Sequence, residues 1–208
     1  MRSLRLLIVV FLIALPVSYG LNVVASLKPT YDEYFALYTL GAAGLAERYF
    51  PSSTADILPG TQLSWQVAVY NHMEVVRLVK VEFKLLNLTM QGPDQVKEIP
   101  SQREPFYEET RLILSNETWT VPVAWSVRNA TKGGNSTTIH SLEFNDQIIT
   151  ENVEISAFHG HSFRIVIELW VYDDGTGTFA FQWAANGDER VAWNQLWFNM
   201  TQTSLLPT

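Results

Sequence analysis

Phe163-Arg164-Ile165-Val166-Ile167-Glu168-Leu169-Trp170-Val171-Tyr172 sets the fold class of this chain. Phe163, Ile165, Ile167, Leu169 and Val171 recur at every second position, the period of a strand that buries one face. Arg164, Glu168, Trp170 and Tyr172 share the other face. Asp173-Asp174-Gly175-Thr176-Gly177 then supplies turn residues, and Phe179, Phe181 and Trp183 alternate again beyond it. Asn186-Gly187 follows, and a last strand runs from about Val191 to Met200.

The same alternation extends upstream. Leu63, Trp65, Val67 and Val69 lie on one face, with Ser64, Gln66 and Ala68 opposite. Val79, Val81, Phe83 and Leu85 repeat the pattern, with Lys80, Glu82 and Lys84 on the wet side. Asn71-His72-Met73-Glu74 is a short link, so this pair reads as an antiparallel hairpin. Shorter strands are expected at Tyr34–Leu40, Arg111–Leu114, Thr118–Trp125, Leu142–Phe144 and Val153–Ser156. Pro93 to Tyr107 is polar and proline-punctuated, a long loop. Asn129 to Thr138, with Gly133-Gly134, reads as a second loop. Nothing after residue 30 holds a helical period. The expected fold is all-β: an immunoglobulin-like antiparallel β-sandwich preceded by one N-terminal hydrophobic helix.

That helix is expected from residues 6 to 27, which carry no charge and follow Arg2 and Arg5. A helix of this length covers roughly the 30 Å hydrocarbon core. Arginines before the segment favour a cytoplasmic N-terminus with the rest of the chain outside. The dense run Leu6 to Leu15 ended by Pro16 also fits a cleaved signal, with small residues near Gly20 or Ala25. A buried helix of a cytosolic domain is the third reading. The expected organisation is residues 1–27 as membrane anchor or signal, 28–33 as linker, 34–203 as an extracellular domain and 204–208 as tail. The expected location is the cell membrane through a single N-terminal span, or secretion after cleavage.

Composition narrows the function. The net charge is −7 with no clustered lysine or arginine, which argues against nucleic acid as a partner. Cysteine is absent, which removes thiolate metal sites, cysteine nucleophiles and disulfides. Five Asn-x-Ser/Thr triplets begin at Asn87, Asn116, Asn129, Asn135 and Asn199, and none has a central proline. On an exported surface these are N-glycosylation sites. Asn116, Asn129 and Asn135 fall in turn-like stretches, whereas Asn87 and Asn199 end apolar strands.

Several residues resemble a known family. Tyr38-Thr39-Leu40-Gly41-Ala42-Ala43-Gly44-Leu45-Ala46-Glu47, running on to Phe50-Pro51, is similar to the opening of the archaeal "domain of unknown function 1616" family. Leu58-Pro59-Gly60, Val69-Tyr70-Asn71-His72, Asn116-Glu117-Thr118-Trp119 and Val121-Pro122-Val123 match further elements in order. Phe50 is inserted before the proline, and the acid after Asn-His is displaced to Glu74. The resemblance implies a membrane-associated, exported β-sandwich, and no activity, ligand or catalytic residue.

No catalytic constellation emerges. His159-Gly160-His161 offers two imidazoles without a spaced third ligand, and a solvated turn accounts for it. Asp173-Asp174 lacks the acid ladder of a calcium loop. Acids are scattered and no Gly-x-Ser-x-Gly occurs, so no enzyme, cofactor or metal is expected. Of seven tryptophans, Trp65 and Trp183 belong to the core by parity. Trp170, Tyr172 and Trp197 fall on outward faces and are the candidate partner-binding residues. The expected function is a non-enzymatic envelope protein with a structural, adhesive or assembly role, contacting envelope proteins or copies of itself. The alternative is a carbohydrate-binding module or the substrate-binding accessory subunit of a membrane complex. An exposed aromatic row would favour glycans. A covered row with an unpaired apolar strand edge would favour assembly.

Overall fold

The computed structural model describes residues 32–51, 54–185 and 187–201. The expected N-terminal anchor or signal over 1–27 and the tail over 204–208 lie outside the described residues. Within them the chain is all-β. One sheet has the order β1 (Phe35–Gly41), β3 (Leu63–Asn71), β6 (Thr118–Gly133), β7 (Ser136–Phe144), β8 (Gln147–Ile149), with β9 (Ile155–Phe158) also on β7. The other runs β2 (Asp56–Ile57), β14 (Trp193–Met200), β10 (Phe163–Asp173), β4 (Arg77–Asn87), β5 (Tyr107–Ile113), with β11 (Thr178–Ala180) also on β10. A small hairpin joins β12 (Gln182–Ala185) and β13 (Asp188–Val191). Pairing is antiparallel throughout except β2 on β14.

Alternation builds the core. Val79, Val81, Phe83 and Leu85 of β4 pair in register with Val171, Leu169, Ile167 and Ile165 of β10, and all are buried. Trp65, Val67 and Val69 do the same for the first sheet. Aromatic contacts join the two layers: Trp125 meets Phe198 at 5.3 Å between ring centres, and Phe83 meets Phe144 at 5.1 Å. Such rings bury large apolar areas and prefer tilted packing.

Three expectations need correction. First, the stretches 63–69 and 79–85 are not a hairpin, because β3 and β4 belong to different sheets. The link between them crosses the core edge. Asn71, fully buried, fixes that crossing: its amide donates to the carbonyls of Val75, Ile113 and Leu114 at 3.0–3.2 Å and accepts from Met73 N–H at 2.9 Å. A two-residue turn cannot span two sheets about 10 Å apart, but this arch can. Second, Asn129 to Thr138 is mostly strand: β6 and β7 pair to Gly133↔Ser136, with a register shift around Asn129. Third, the face of β4 assigned to water is covered, as described below.

Gly41 closes β1 against its own exit turn. An added Cβ would run into the carbonyl of Glu47 and lie 3.0 Å from that of Arg48. Backbone cannot yield as a side chain can. Gly41→Ala is expected to cost about 1–3 kcal/mol, the range for overpacking, measured as a shift in the denaturation midpoint at unchanged slope.

Candidate functional site

The outer face of the second sheet carries the charged residues that alternation puts there, but not in water. Glu82 on β4 and Glu168 on β10 are direct cross-strand partners. Like charges in that position repel. Lys84 separates them, and Lys80 holds the other side of Glu82. Lys84 Nζ lies 2.7 Å from Glu168 Oε2 and 3.1 Å from Glu82 Oε2. Lys80 Nζ lies 2.6 Å from Glu82 Oε1 and 3.3 Å from Glu108 Oε2. The result is a charge-alternating row: Glu108, Lys80, Glu82, Lys84, Glu168.

The segment between β4 and β5 seals one end of this row. Ser101 donates its backbone N–H and its hydroxyl to Glu168 Oε1 at 2.8 and 2.7 Å, and its carbonyl accepts from Lys84 Nζ at 3.3 Å. Lys84 is then 3% exposed and Glu168 0%. Lys80, at the open end, feels burial first, which lowers its proton affinity. The hydrogen bonds and charges of Glu82 and Glu108 more than offset this, leaving its pKa above the ordinary 10.5. The same covering segment holds Arg164, whose guanidinium donates to Met90 O at 2.6 Å and Gln195 Oε1 at 2.7 Å. Gly92 sits so close to that guanidinium that a Cβ would meet it at 3.0 Å.

The structure distributes the three candidate aromatics. Trp170 is half-buried against Phe181 at 5.7 Å, with Lys80 and Lys84 over its ring. Tyr172 is half-buried, edge-on to Phe179 at 5.4 Å. Trp197 pairs with Arg164, whose guanidinium stacks 4.7 Å above its ring. Arg164 and Trp170 are six positions apart along the strand, about 20 Å at the rise of a strand. Trp170 and Tyr172 are neighbours; Trp197 stands at the far end. Together they make no continuous row.

The acceptor asparagines divide into two groups. Asn116, Asn129 and Asn135 are exposed. Asn87 and Asn199 are half-buried, and their side-chain nitrogens are engaged: Asn87 donates to Ser156 O at 2.8 Å and Asn199 to Asp56 Oδ1 at 2.9 Å.

Sequence reasoning missed a further feature, the free side of β5. Among the described residues β5 pairs only with β4. Leu112 and Leu114 are each 57% exposed, and Val75 and Val76 are 48% and 46% exposed. Asn71 draws the carbonyls of Val75 and Leu114 onto one amide, which brings the two backbone segments that carry these side chains together. The short apolar run Arg111–Leu114 was the signal, but edge status depends on strand order. Among the described residues no cluster of three potential metal ligands occurs.

No protein-family model and no curated protein matches the chain. Among solved structures, a mutant β-glucosidase from Listeria innocua in complex with laminaribiose aligns at 9% identity and TM-score 0.36 over 83% of this chain and 17% of that one. The same enzyme with glucose aligns at 11% identity and TM-score 0.36, over 83% and 17%. The chain thus spans under a fifth of those proteins, at a likeness too low to bear on activity or substrate.

Proposed function

We propose that the chain is a non-enzymatic envelope protein, an exported and glycosylated immunoglobulin-like sandwich held to a membrane by its N-terminal segment, whose role is assembly with further copies of itself. The observation that carries this reading is the free edge of β5 together with the exposed Val75, Val76, Leu112 and Leu114. Unpaired strand edges with apolar neighbours are templates for pairing, and natural monomers blunt them. The occupant is a second copy, on grounds of charge. Antiparallel pairing of two β5 strands about Thr110 sets Glu109 of each copy opposite Arg111 of the other. A two-fold contact of this kind is closed and self-complementary.

The packing of Trp170 on Phe181 and of Tyr172 on Phe179 weighs against a glycan platform. The closed ion row weighs in the same direction, since its carboxylates face lysines rather than a cleft. The exposed Asn116, Asn129 and Asn135 suit glycan attachment outside a cell.

The test is sedimentation of the detergent-solubilised full chain across concentration. The native chain is expected to dimerise. Arg111→Glu is expected to weaken the dimer at least tenfold by placing Glu109 opposite a second acid. Glu109→Arg with Arg111→Glu is expected to restore it. A native chain that stays monomeric, or a double variant no better than the single, rules out this assembly.

A further inference from the structure

Independently of that assembly, we propose that Lys84 and Glu168 condense into an amide, a covalent bond between β4 and β10 formed by the folded chain without any cofactor. The reacting groups are already in contact, with Nζ 2.7 Å from Oε2, and both are sealed from water. Holding the two groups together in the folded chain removes the entropic cost of bringing them to one another. A dry site also suppresses the reverse reaction, which consumes water.

The two carboxylate oxygens of Glu168 are treated differently. Oε1 takes both the N–H and the hydroxyl of Ser101, at 2.8 and 2.7 Å. Two donors on one oxygen are what a tetrahedral intermediate needs as charge gathers there. Oε2 contacts the lysine and is the oxygen that leaves. Glu82 Oε2, 3.1 Å from Nζ, is the proton carrier between them. Lys80 positions it by holding its other oxygen at 2.6 Å.

The step balances within the chain. An ammonium and a carboxylate enter. Glu82 takes a proton from Nζ and passes it to Oε2, so the nitrogen lone pair attacks the Cδ of a neutral carboxyl and the Nζ–Cδ bond forms. The Cδ–Oε2 bond then breaks. Two of the three ammonium protons end on Oε2, which departs as water, and the third stays on the amide nitrogen. Net charge does not change. The product is fully hydrogen-bonded: its carbonyl keeps the two Ser101 donors, and its N–H has the Ser101 carbonyl, 3.3 Å from Nζ. Condensation also removes two charges from a site where burying them is costly. The bond would tie residues 84 positions apart in a chain that has no cysteine. Closing such a loop restricts the unfolded ensemble as a disulfide does.

The test is the intact mass of the full chain, purified folded from a host without N-glycosylation and then denatured. The native sequence is expected to weigh one water less than its composition, and digestion is expected to release a branched peptide joining Lys84 to Glu168. Lys84→Arg and Glu168→Ala are expected at full mass. Glu82→Gln, which keeps an acceptor but cannot carry the proton, is expected to remain largely at full mass while folding normally by circular dichroism. A folded native chain at full mass would show an ion pair only and overturn the proposal. So would a lost water that maps elsewhere.

Discussion

Lys84→Ala is expected to destabilise the fold by about 3–5 kcal/mol, although sequence alternation assigns this residue to water. Removing one partner of a buried ion pair leaves the other charge uncompensated, and that penalty sets the magnitude. Glu168, fully buried, would keep only Ser101 as a donor. The direction is the same whether the pair is ionic or joined, since either state is lost. Lys97→Ala is the control: its side chain is exposed and pairs only with Asp94 at 3.5 Å, so a change below about 0.5 kcal/mol is expected. Equal midpoints for the two variants in a denaturant titration would mean that the β4–β5 segment does not cover the sheet.

Trp65→Ala is expected to cost a similar amount, about 3–5 kcal/mol, by a different route. Its ring packs against Trp125 at 5.1 Å and Phe50 at 6.1 Å, and its indole N–H donates to Tyr49 O at 2.7 Å. Truncation opens a large cavity among rings that cannot collapse into it, and strips Tyr49 of that donor. Trp65→Phe keeps most of the volume and is expected to recover more than half of the loss. Calorimetry or denaturant melts of the three proteins decide this. A Phe variant as unstable as Ala would place the cost in the hydrogen bond instead.

The strands themselves were legible because a half-buried strand writes its period into the chain. Phe163, Ile165, Ile167, Leu169 and Val171, and Leu63, Trp65, Val67 and Val69, carry it and are buried as read. What alternation cannot say is which sheet a strand joins. Asn71 to Glu74 has the composition of a hairpin turn, yet it bridges two layers, and only the two distant carbonyls gathered by Asn71, of Ile113 and Leu114, distinguish the cases. Nor can alternation say that a polar face is wet. Lys80, Glu82 and Lys84 look solvated because each is charged. Lys84 is closed off by Ser101, seventeen residues beyond it and inside a segment read as a plain loop. The loop reading of Asn129 to Thr138 failed for the opposite reason: its polar, glycine-containing composition hides a hairpin arm whose two faces are largely exposed. The acceptor asparagines were visible as triplets. Whether an amide is already engaged, as in Asn87 and Asn199, depends on residues far along the chain.

The placement of β10 has a consequence for how the protein is made. It is the central strand of its sheet, flanked by β4 and β14, yet it is synthesised long after β4. Until residue 163 has emerged, β4 presents an apolar face and an unpaired edge, and Lys84 has no Glu168. Pairings this distant in sequence form slowly and leave intermediates prone to aggregation. The nascent chain therefore holds a sticky, half-built sheet from the end of β4 until β10 emerges, and its folding is an event of the final third rather than a progression from the first strand. A chaperone requirement should track the arrival of β10, so truncations ending before residue 163 should be captured by holdases and those ending after Met200 released.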